Sequence, residues 1–304
     1  MQTKGYVDLH THGLGKYDTR TTKPADILKI AAMQGKTGTD AICLAIYPGP
    51  LDVMKQQICV VRAAMEKQKT ETGFGQMTGE DLEKPAMILG VHLEGPFLNP
   101  SYCGALDKKA MVRPSLSALK ILVDGDEDIV KIMTIAPELP GALKIIERCT
   151  ELGIRVNMGH SDATYQQAVD GKAAGATGIT HFFNAMRPFH HREPGLAGLG
   201  LLDESLYVEV IADGAHLHPR TIEMIFNRKR LDRIMLVSDS VKGRMTRSKK
   251  YDARAVFDSK GVLTGSGMTL ADTFPLLRGI GIPDAEIAEA AADNPARYIG
   301  LGTS

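Results

Sequence analysis

The 304-residue sequence predicts an α/β fold of the (β/α)8 TIM-barrel type, one domain over residues 1–304. Three observations predict it. Eight short apolar or β-branched runs alternate with segments of helical period, the pattern of βα units on a parallel sheet. Three long non-helical stretches each leave the carboxyl end of a run, as the loops on the functional face of a closed barrel do. The first run is followed by HTHGLGKYD, which lacks the GxGxxG spacing of an open doubly wound nucleotide-binding sheet, the competing architecture.

Taken in order, YVDLHTH is the first strand. PADILKIAAMQGK follows as a helix with Pro24 at its first position, where the missing N–H costs nothing. DAICLAI is the second strand, and LDVMKQQICVVRAAMEKQK is helical because apolar residues recur at three and four. MILGVHL, the third strand, opens into the non-helical GPFLNPSYCGALDKKAMVRP. IVKIMTI, IRVNMGH and ATGITHF are strands four to six, the last followed by a second non-helical stretch, NAMRPFHHREPGLAGLG. YVEVIAD and RIMLVSD complete the set, and SVKGRMTRSKKYDARAVFDSKGVLTGSG is the third long loop. TLADTFPLLRG and PDAEIAEAAADNPARYIG then read as helices, the second interrupted at Asn294 and Pro295. No repeat, low-complexity segment or Ser/Gly linker divides the chain.

Composition narrows the function. The chain is 43% hydrophobic and 24% charged, an ordinary globular balance with ample apolar area for a core. Its 36 basic and 36 acidic residues cancel, so no charge excess is available for nucleic acid or an anionic membrane surface. No apolar run approaches the ~20 residues of a membrane span, and MQTKGYVDLH lacks the regions of a signal peptide, so a cytoplasmic protein is expected. Cys43, Cys59, Cys103 and Cys149 lie far apart and are expected to be reduced core thiols.

Chemistry concentrates at strand ends. His10 and His12 close strand one, Glu94 follows strand three, His160 ends strand five, His181 lies near the end of strand six, and Asp239 ends strand eight. In a closed barrel these positions converge on one axial mouth. His10 and His12, two residues apart on a strand, can aim to the same side. Each residue alone reads as a polar strand terminus. Together they would repel or go unsatisfied unless a cation held them. Imidazole and carboxylate without thiolate fit Zn2+ or another divalent first-row ion, and an open coordination position suits hydrolysis.

VDLHTHG, HLEGPFLNP, MGHSDATY, THFFNAM, REPGLAG, ADGAHLHP, LVSDS and GSGMTLAD with NPARYIGL resemble, in this order and over nearly the whole chain, the N-acetylglucosamine-6-phosphate deacetylases of the amidohydrolase superfamily. The resemblance implies that Glu94, His160 and His181 are ligands of the main metal, with His10 and His12 an additional pair in members that hold a second ion. With Zn2+ the leading metal on its donor set, one ion is expected, or two. Asp239 would be the catalytic carboxylate, Arg192 and His216 phosphate contacts, and Asn184 with Ala185 part of the sugar-phosphate site. The implied partner is a phosphosugar, and a homodimer is an assembly the family allows.

Two departures stand out. The family's third-strand loop ends in Gly-Ala-His, whose histidine polarises the amide carbonyl, whereas this chain reads Gly104, Ala105 and Leu106. Leucine cannot donate a hydrogen bond. Three alternatives follow: the metal alone is the electrophile, His190 or His191 substitutes, or the substrate differs. Second, family members usually carry a small β-sandwich built from both chain ends, and here strand one begins near residue 6, so a nearly bare barrel is expected. The expected reaction is metal-dependent deacetylation of N-acetylglucosamine 6-phosphate. The alternatives are amidohydrolysis of another N-acyl amino sugar or N-acyl amino acid, and a catalytically silent metal-binding barrel. Arg192 has its own alternative, a structural ion pair with Glu193 or Asp213.

Overall fold

The computed structural model describes residues 5–71, 84–247 and 254–301. Eight strands form one sheet in sequential order: β1 (Tyr6–Thr11), β2 (Thr39–Ile46), β3 (Met87–Glu94), β4 (Val130–Ile135), β5 (Arg155–Met158), β6 (Gly178–Ile179), β7 (Tyr207–Ile211) and β8 (Ile234–Val237). Every pairing within it is parallel. Closure between β1 and β8 comes just past the strand ends. There Asp239 N–H donates to the His10 carbonyl at 2.9 Å and His12 N–H to the Ser240 carbonyl at 2.8 Å. The Asp8 carboxylate, fully buried, accepts the Ser238 hydroxyl and N–H across the same seam.

Helices α1 (Pro24–Gly35), α2 (Leu51–Glu71), α3 (Leu116–Val123), α4 (Ala142–Glu151), α5 (Tyr165–Ala173), α6 (Gly195–Leu202), α7 (Pro219–Arg228) and α8 (Leu270–Gly279) follow the strands in turn. Pro24 occupies the first turn of α1, as expected. Their apolar faces pack on the outward side of the strands: Ile27, Ile30, Ile42, Leu44, Ile145, Ile146, Ile222 and Ile225 all belong to this outer core. A second, smaller core fills the barrel itself with Val7, Leu9, Cys43, Ile132, Met235 and Val237. Below it, Ala296 and Tyr298 plug the amino-terminal end of the barrel. A closed lower end leaves the carboxyl-terminal face for function.

Four expectations need correction. GLAGLGLL is not loop but helix α6, because its glycines let the backbone lie against the barrel; a Cβ at Gly200 would come within 2.4 Å of the Phe182 ring. ATGITHF is strand only at Gly178–Ile179, after which the chain turns at residues with positive φ. The final helix is not broken at Asn294 and Pro295. A π-helical turn, Glu289–Asp293, absorbs the misfit, and Asn294–Tyr298 resumes as helix with Pro295 in its first turn. Asn294 is fully buried and donates to the Leu231 and Ile234 carbonyls, which fixes this helix to the barrel floor. Finally, all four cysteines are unpaired thiols, but only Cys43 and Cys149 are core residues; Cys59 is exposed and Cys103 half-buried.

The long loop after β8 builds a small antiparallel sheet, β9 (Thr246–Arg247), β10 (Arg254–Phe257) and β11 (Leu263–Gly265). The loop after β3 is two short 3-10 turns, Pro100–Tyr102 and Lys108–Ala110. Both overhang the carboxyl-terminal mouth. Among the described residues no helix is long and apolar enough to cross a membrane.

Candidate active site

At this mouth lies a cavity of about 150 Å³, lined by His12, Tyr47, Glu94, His160, His181, His216 and Asp239, with Gly104, Ala105, Leu106, Asn184 and Ala185 from the loops above β3 and β6 and Leu263 with Thr264 from the small sheet. Among the described residues, the five non-glycine residues with positive φ are His160, His181, Phe183, Ala185 and Asp239. Four of them line this cavity. Strained backbone of this kind persists where surrounding structure over-determines it, and here it turns each side chain at a strand end back toward the axis.

His160 Nε2 and His181 Nε2 each lie 3.1 Å from Glu94 Oε1 and 2.9 Å from one another. On the other side of the same carboxylate, His12 Nε2 is 3.2 Å from Oε2 and 3.3 Å from His10 Nε2. Asp239 Oδ1 stands 3.6 Å from both His10 and His12. Glu94 thus presents Oε1 to His160 and His181, with His10 Nε2 3.6 Å from the same oxygen, and Oε2 to His12.

Hydrogen bonds on the far side of the rings settle the tautomers. His160 Nδ1 faces the Tyr102 carbonyl at 2.8 Å and His12 Nδ1 the Ala45 carbonyl at 3.1 Å, acceptors that require a proton on Nδ1. His10 Nδ1 donates to Glu209 Oε2 at 3.1 Å, and burial pushes His10 down to about 4, so it is neutral. Each of these rings therefore points an Nε2 lone pair at a carboxylate or at another imidazole. Lone pairs so arranged on buried side chains repel, and a divalent ion would satisfy them all. Burial pushes the Glu94 carboxyl up, but His12, His160 and His181 outweigh it and hold it well below the usual carboxylate range. Two overlapping sets, Glu94 with His160 and His181 and Glu94 with His10 and His12, could each hold an ion. A third grouping, His10, His92 and Glu209, does not suit one, because both His92 nitrogens are engaged, Nδ1 with the Leu9 carbonyl and Nε2 with the Thr134 hydroxyl.

Beneath the site a polar chain descends the barrel axis. Glu209 Oε1 accepts from Asn157 Nδ2 at 2.7 Å, Asn157 Oδ1 accepts the Tyr298 hydroxyl, and Tyr298 also meets Thr177. The barrel floor is thereby tied to the orientation of His10.

The structure brings His10, His12, Glu94, His160, His181, Asp239, His216, Asn184 and Ala185 to the cavity or its walls. His216 sits closer to the reacting centre than a remote phosphate contact would. Its Nδ1 donates to Asp213 at 2.8 Å and its Nε2 lies 3.7 Å from Asp239 Oδ2. Arg192 is different: it is exposed on the loop after β6 and does not line the cavity. The ion-pair alternative for Arg192 is not realised among the described residues. Glu193 accepts the Tyr165 and Gly195 N–H groups, and Asp213 is taken by His216. His190 and His191 pack against each other, tilted by 36° with ring centroids 4.2 Å apart, on that exposed loop, outside the cavity, so neither replaces the donor that Leu106 lacks.

Residue reasoning passed over Tyr47, Glu209 and the Tyr102 carbonyl. Tyr47 follows a strand end directly, the criterion that singled out the histidines, and Glu209 is a lone carboxylate inside the apolar run YVEVIAD. Both signals were legible. The Tyr102 carbonyl carries none.

The amidohydrolase family model matches residues 3–303. The chain belongs to the amidohydrolase family. It is a hydrolytic enzyme acting on a carbon–nitrogen bond, of a superfamily that works with metal. It is 29% identical over 306 residues to an N-acetylgalactosamine-6-phosphate deacetylase of Escherichia coli O157:H7, covering 97% of this chain and 77% of that protein. It is 29% identical over 308 residues to the N-acetylglucosamine-6-phosphate deacetylase of Bacillus subtilis (strain 168), covering 98% of this chain and 75% of the relative. A crystallised N-acetyl-D-glucosamine-6-phosphate deacetylase of Mycobacterium smegmatis superposes with a TM-score of 0.82 at 28% identity, covering 98% of this amidohydrolase and 77% of that chain.

Proposed function

We propose that this amidohydrolase removes the acetyl group of N-acetylglucosamine 6-phosphate, giving glucosamine 6-phosphate and acetate, with residues 1–304 acting as one catalytic domain. The observation that carries this reading is the set of imidazole Nε2 atoms gathered around Glu94, with Asp239 Oδ1 3.6 Å from two of them, in a chain that aligns along 97–98% of its length with hexosamine-phosphate deacetylases. Glu94, His160 and His181 would hold the first divalent ion, and His10 with His12 a second. Zn2+ fits best, since the donors are imidazole and carboxylate with no thiolate.

Bound there, the ion would supply a water of lowered pKa and a Lewis acid for the acyl carbonyl. Asp239 accepts the proton of the attacking water as its oxygen bonds to the acetamide carbon. It returns that proton to nitrogen as the carbon–nitrogen bond breaks, leaving acetate and a free amine. His216, held by Asp213, orients the sugar from the opposite wall with Asn184 and the Ala185 backbone. Arg192, without an ion-pair partner among the described residues and outside the cavity, takes the phosphate at the rim, where its planar fork suits an oxyanion.

A second reading rests on Leu106, which lies on the cavity wall: the enzyme deacetylates a different N-acyl amino sugar, or an N-acyl amino acid. One experiment separates them, a panel assay of released acetate and amine over N-acetylglucosamine 6-phosphate, N-acetylgalactosamine 6-phosphate, the unphosphorylated sugars and N-acetyl amino acids. The proposal expects the glucosamine phosphate to be turned over fastest, with loss of the phosphate costing more than loss of a sugar hydroxyl. Equal rates with and without phosphate would reject the role of Arg192, and activity confined to N-acetyl amino acids would reject the phosphosugar substrate.

A further inference from the structure

We propose that Tyr47 supplies the hydrogen bond to the acyl carbonyl oxygen that Leu106 cannot supply; the assignment rests on the reading that this site hydrolyses an N-acyl group. Hydrolysis places negative charge on that oxygen, and a fixed hydrogen-bond donor there adds electrostatic stabilisation that lowers the barrier. Elimination within the cavity leaves few donors. Thr264 Oγ1 is spent on the Val256 carbonyl at 3.0 Å, and Asn184 Nδ2 is shared between the His181 and Phe182 carbonyls. His216 Nε2, 3.7 Å from Asp239 Oδ2, faces the proton acceptor and is assigned to the sugar.

The Tyr47 hydroxyl has no hydrogen-bond partner among the described residues, although its side chain lines the cavity. Its ring is also fixed more firmly than a loop side chain would be. It stacks on the imidazole of His12 with centroids 3.7 Å apart and planes 16° from parallel. The Arg20 guanidinium packs 4.2 Å from the ring centroid and is itself forked onto both oxygens of Asp18. A donor locked against a metal-ligating histidine has its position set before the substrate arrives, which is what preorganised stabilisation of a developing oxyanion requires. The phenol stays protonated throughout: it donates a hydrogen bond to the oxygen, and no proton is transferred from it.

Tyr47→Phe deletes the hydroxyl and keeps the stacked ring. On whichever acetamide the wild type cleaves fastest, kcat is expected to fall about 10²-fold, the usual cost of one oxyanion donor, with KM within about threefold. Metal content and thermal midpoint should match the wild type. Affinity for a non-hydrolysable tetrahedral phosphonamidate analogue of that substrate should drop by a similar factor, while affinity for the amine product is kept. Adding Leu106→His to Tyr47→Phe should recover at least about tenfold in kcat, because it restores a donor to the same oxygen from the loop. A Tyr47→Phe enzyme within threefold of wild-type kcat, or one whose loss tracks lost metal, overturns the assignment. The substrate reading fails separately, on the wild type alone, if sugar phosphates are not cleaved while another N-acyl compound is; the variant-to-wild-type ratio on that compound then decides Tyr47.

Discussion

Replacing Glu209 by Gln tests whether the polar chain along the barrel axis tunes the metal site or only fills the barrel. Glu209 is fully buried, and its carboxylate receives His10 Nδ1 at 3.1 Å, Asn157 Nδ2 at 2.7 Å and the His181 N–H at 3.3 Å. Gln has nearly the same volume but one acceptor oxygen. It can satisfy Asn157 only by turning its NH2 toward His10, which draws the proton from Nδ1 and places it on Nε2, or it can serve His10 and force Asn157 to rotate against Tyr298. The first outcome removes a lone pair from the metal site. The second costs one charge-assisted bond.

Outer partners of ligating histidines are worth 10–100-fold in metal affinity, about 1.4–2.7 kcal/mol. The Gln variant should therefore lose about that much affinity for the ion held by His10 and His12, with apo stability down by only about 1–2 kcal/mol. Glu209→Leu is the contrast, since it orphans all three donors, and at about 1–3 kcal/mol each the folded state itself should be compromised. Chelator competition gives the affinities and urea denaturation of the apo proteins the stabilities. A Gln variant with unchanged metal affinity, yet destabilised as much as the Leu variant, would refute the positioning role.

Other expectations concern the centre and one remote anchor. Glu94→Gln removes the carboxylate shared by both ligand sets and should lower metal affinity by at least about 10²-fold; elemental analysis showing a full equivalent retained at wild-type affinity would reject it as a ligand. Asp239→Asn keeps size but not the proton acceptor, so kcat should fall at least about 10²-fold with metal retained, and near-normal turnover would sink the mechanism. Burial pushes the Asp203 carboxyl up, but Lys172, Ser205 and two backbone N–H groups outweigh it and leave it well below the usual carboxylate range. Its folded pKa is depressed, so its contribution is present above pH ~4 and is lost as pH falls through that range. Asp203→Asn should thus cost about 1–2 kcal/mol in urea denaturation at neutral pH and progressively less below pH ~4, and a gap that widens on acidification would contradict this.

The one-dimensional pattern carried the barrel because a parallel strand buried on both faces must be a continuous apolar run, and eight such runs with helices between them have few ways to close. It carried the residues gathered at the mouth for a related reason: His, Glu and Asp at the ends of those runs contradict burial unless they serve a site. It failed where packing outvoted local preference. GLAGLGLL contains helix-breaking glycines, yet it is helix α6 because only glycine lets it approach Phe182. Asn294 and Pro295 read as a stop, yet buried hydrogen bonds to the floor of the barrel carry the helix through.

Around the site, the sequence by itself determined most of the residues that meet at the mouth, Arg192 and Tyr47 excepted, and which chemistry they suit. Tertiary structure alone decided how they face. The Tyr102 and Ala45 carbonyls and Glu209, distant in the chain from the rings they touch, set the histidine tautomers. Positive φ at His160, His181 and Asp239 turns those side chains inward. The position of His216 beside Asp239, the exposure of Arg192 and the stacking of Tyr47 on His12 likewise follow from the closure of the barrel. Residue type and strand position are local properties, written in the order of the chain, whereas hydrogen-bond direction and ring orientation depend on atoms that only folding brings within 3–4 Å.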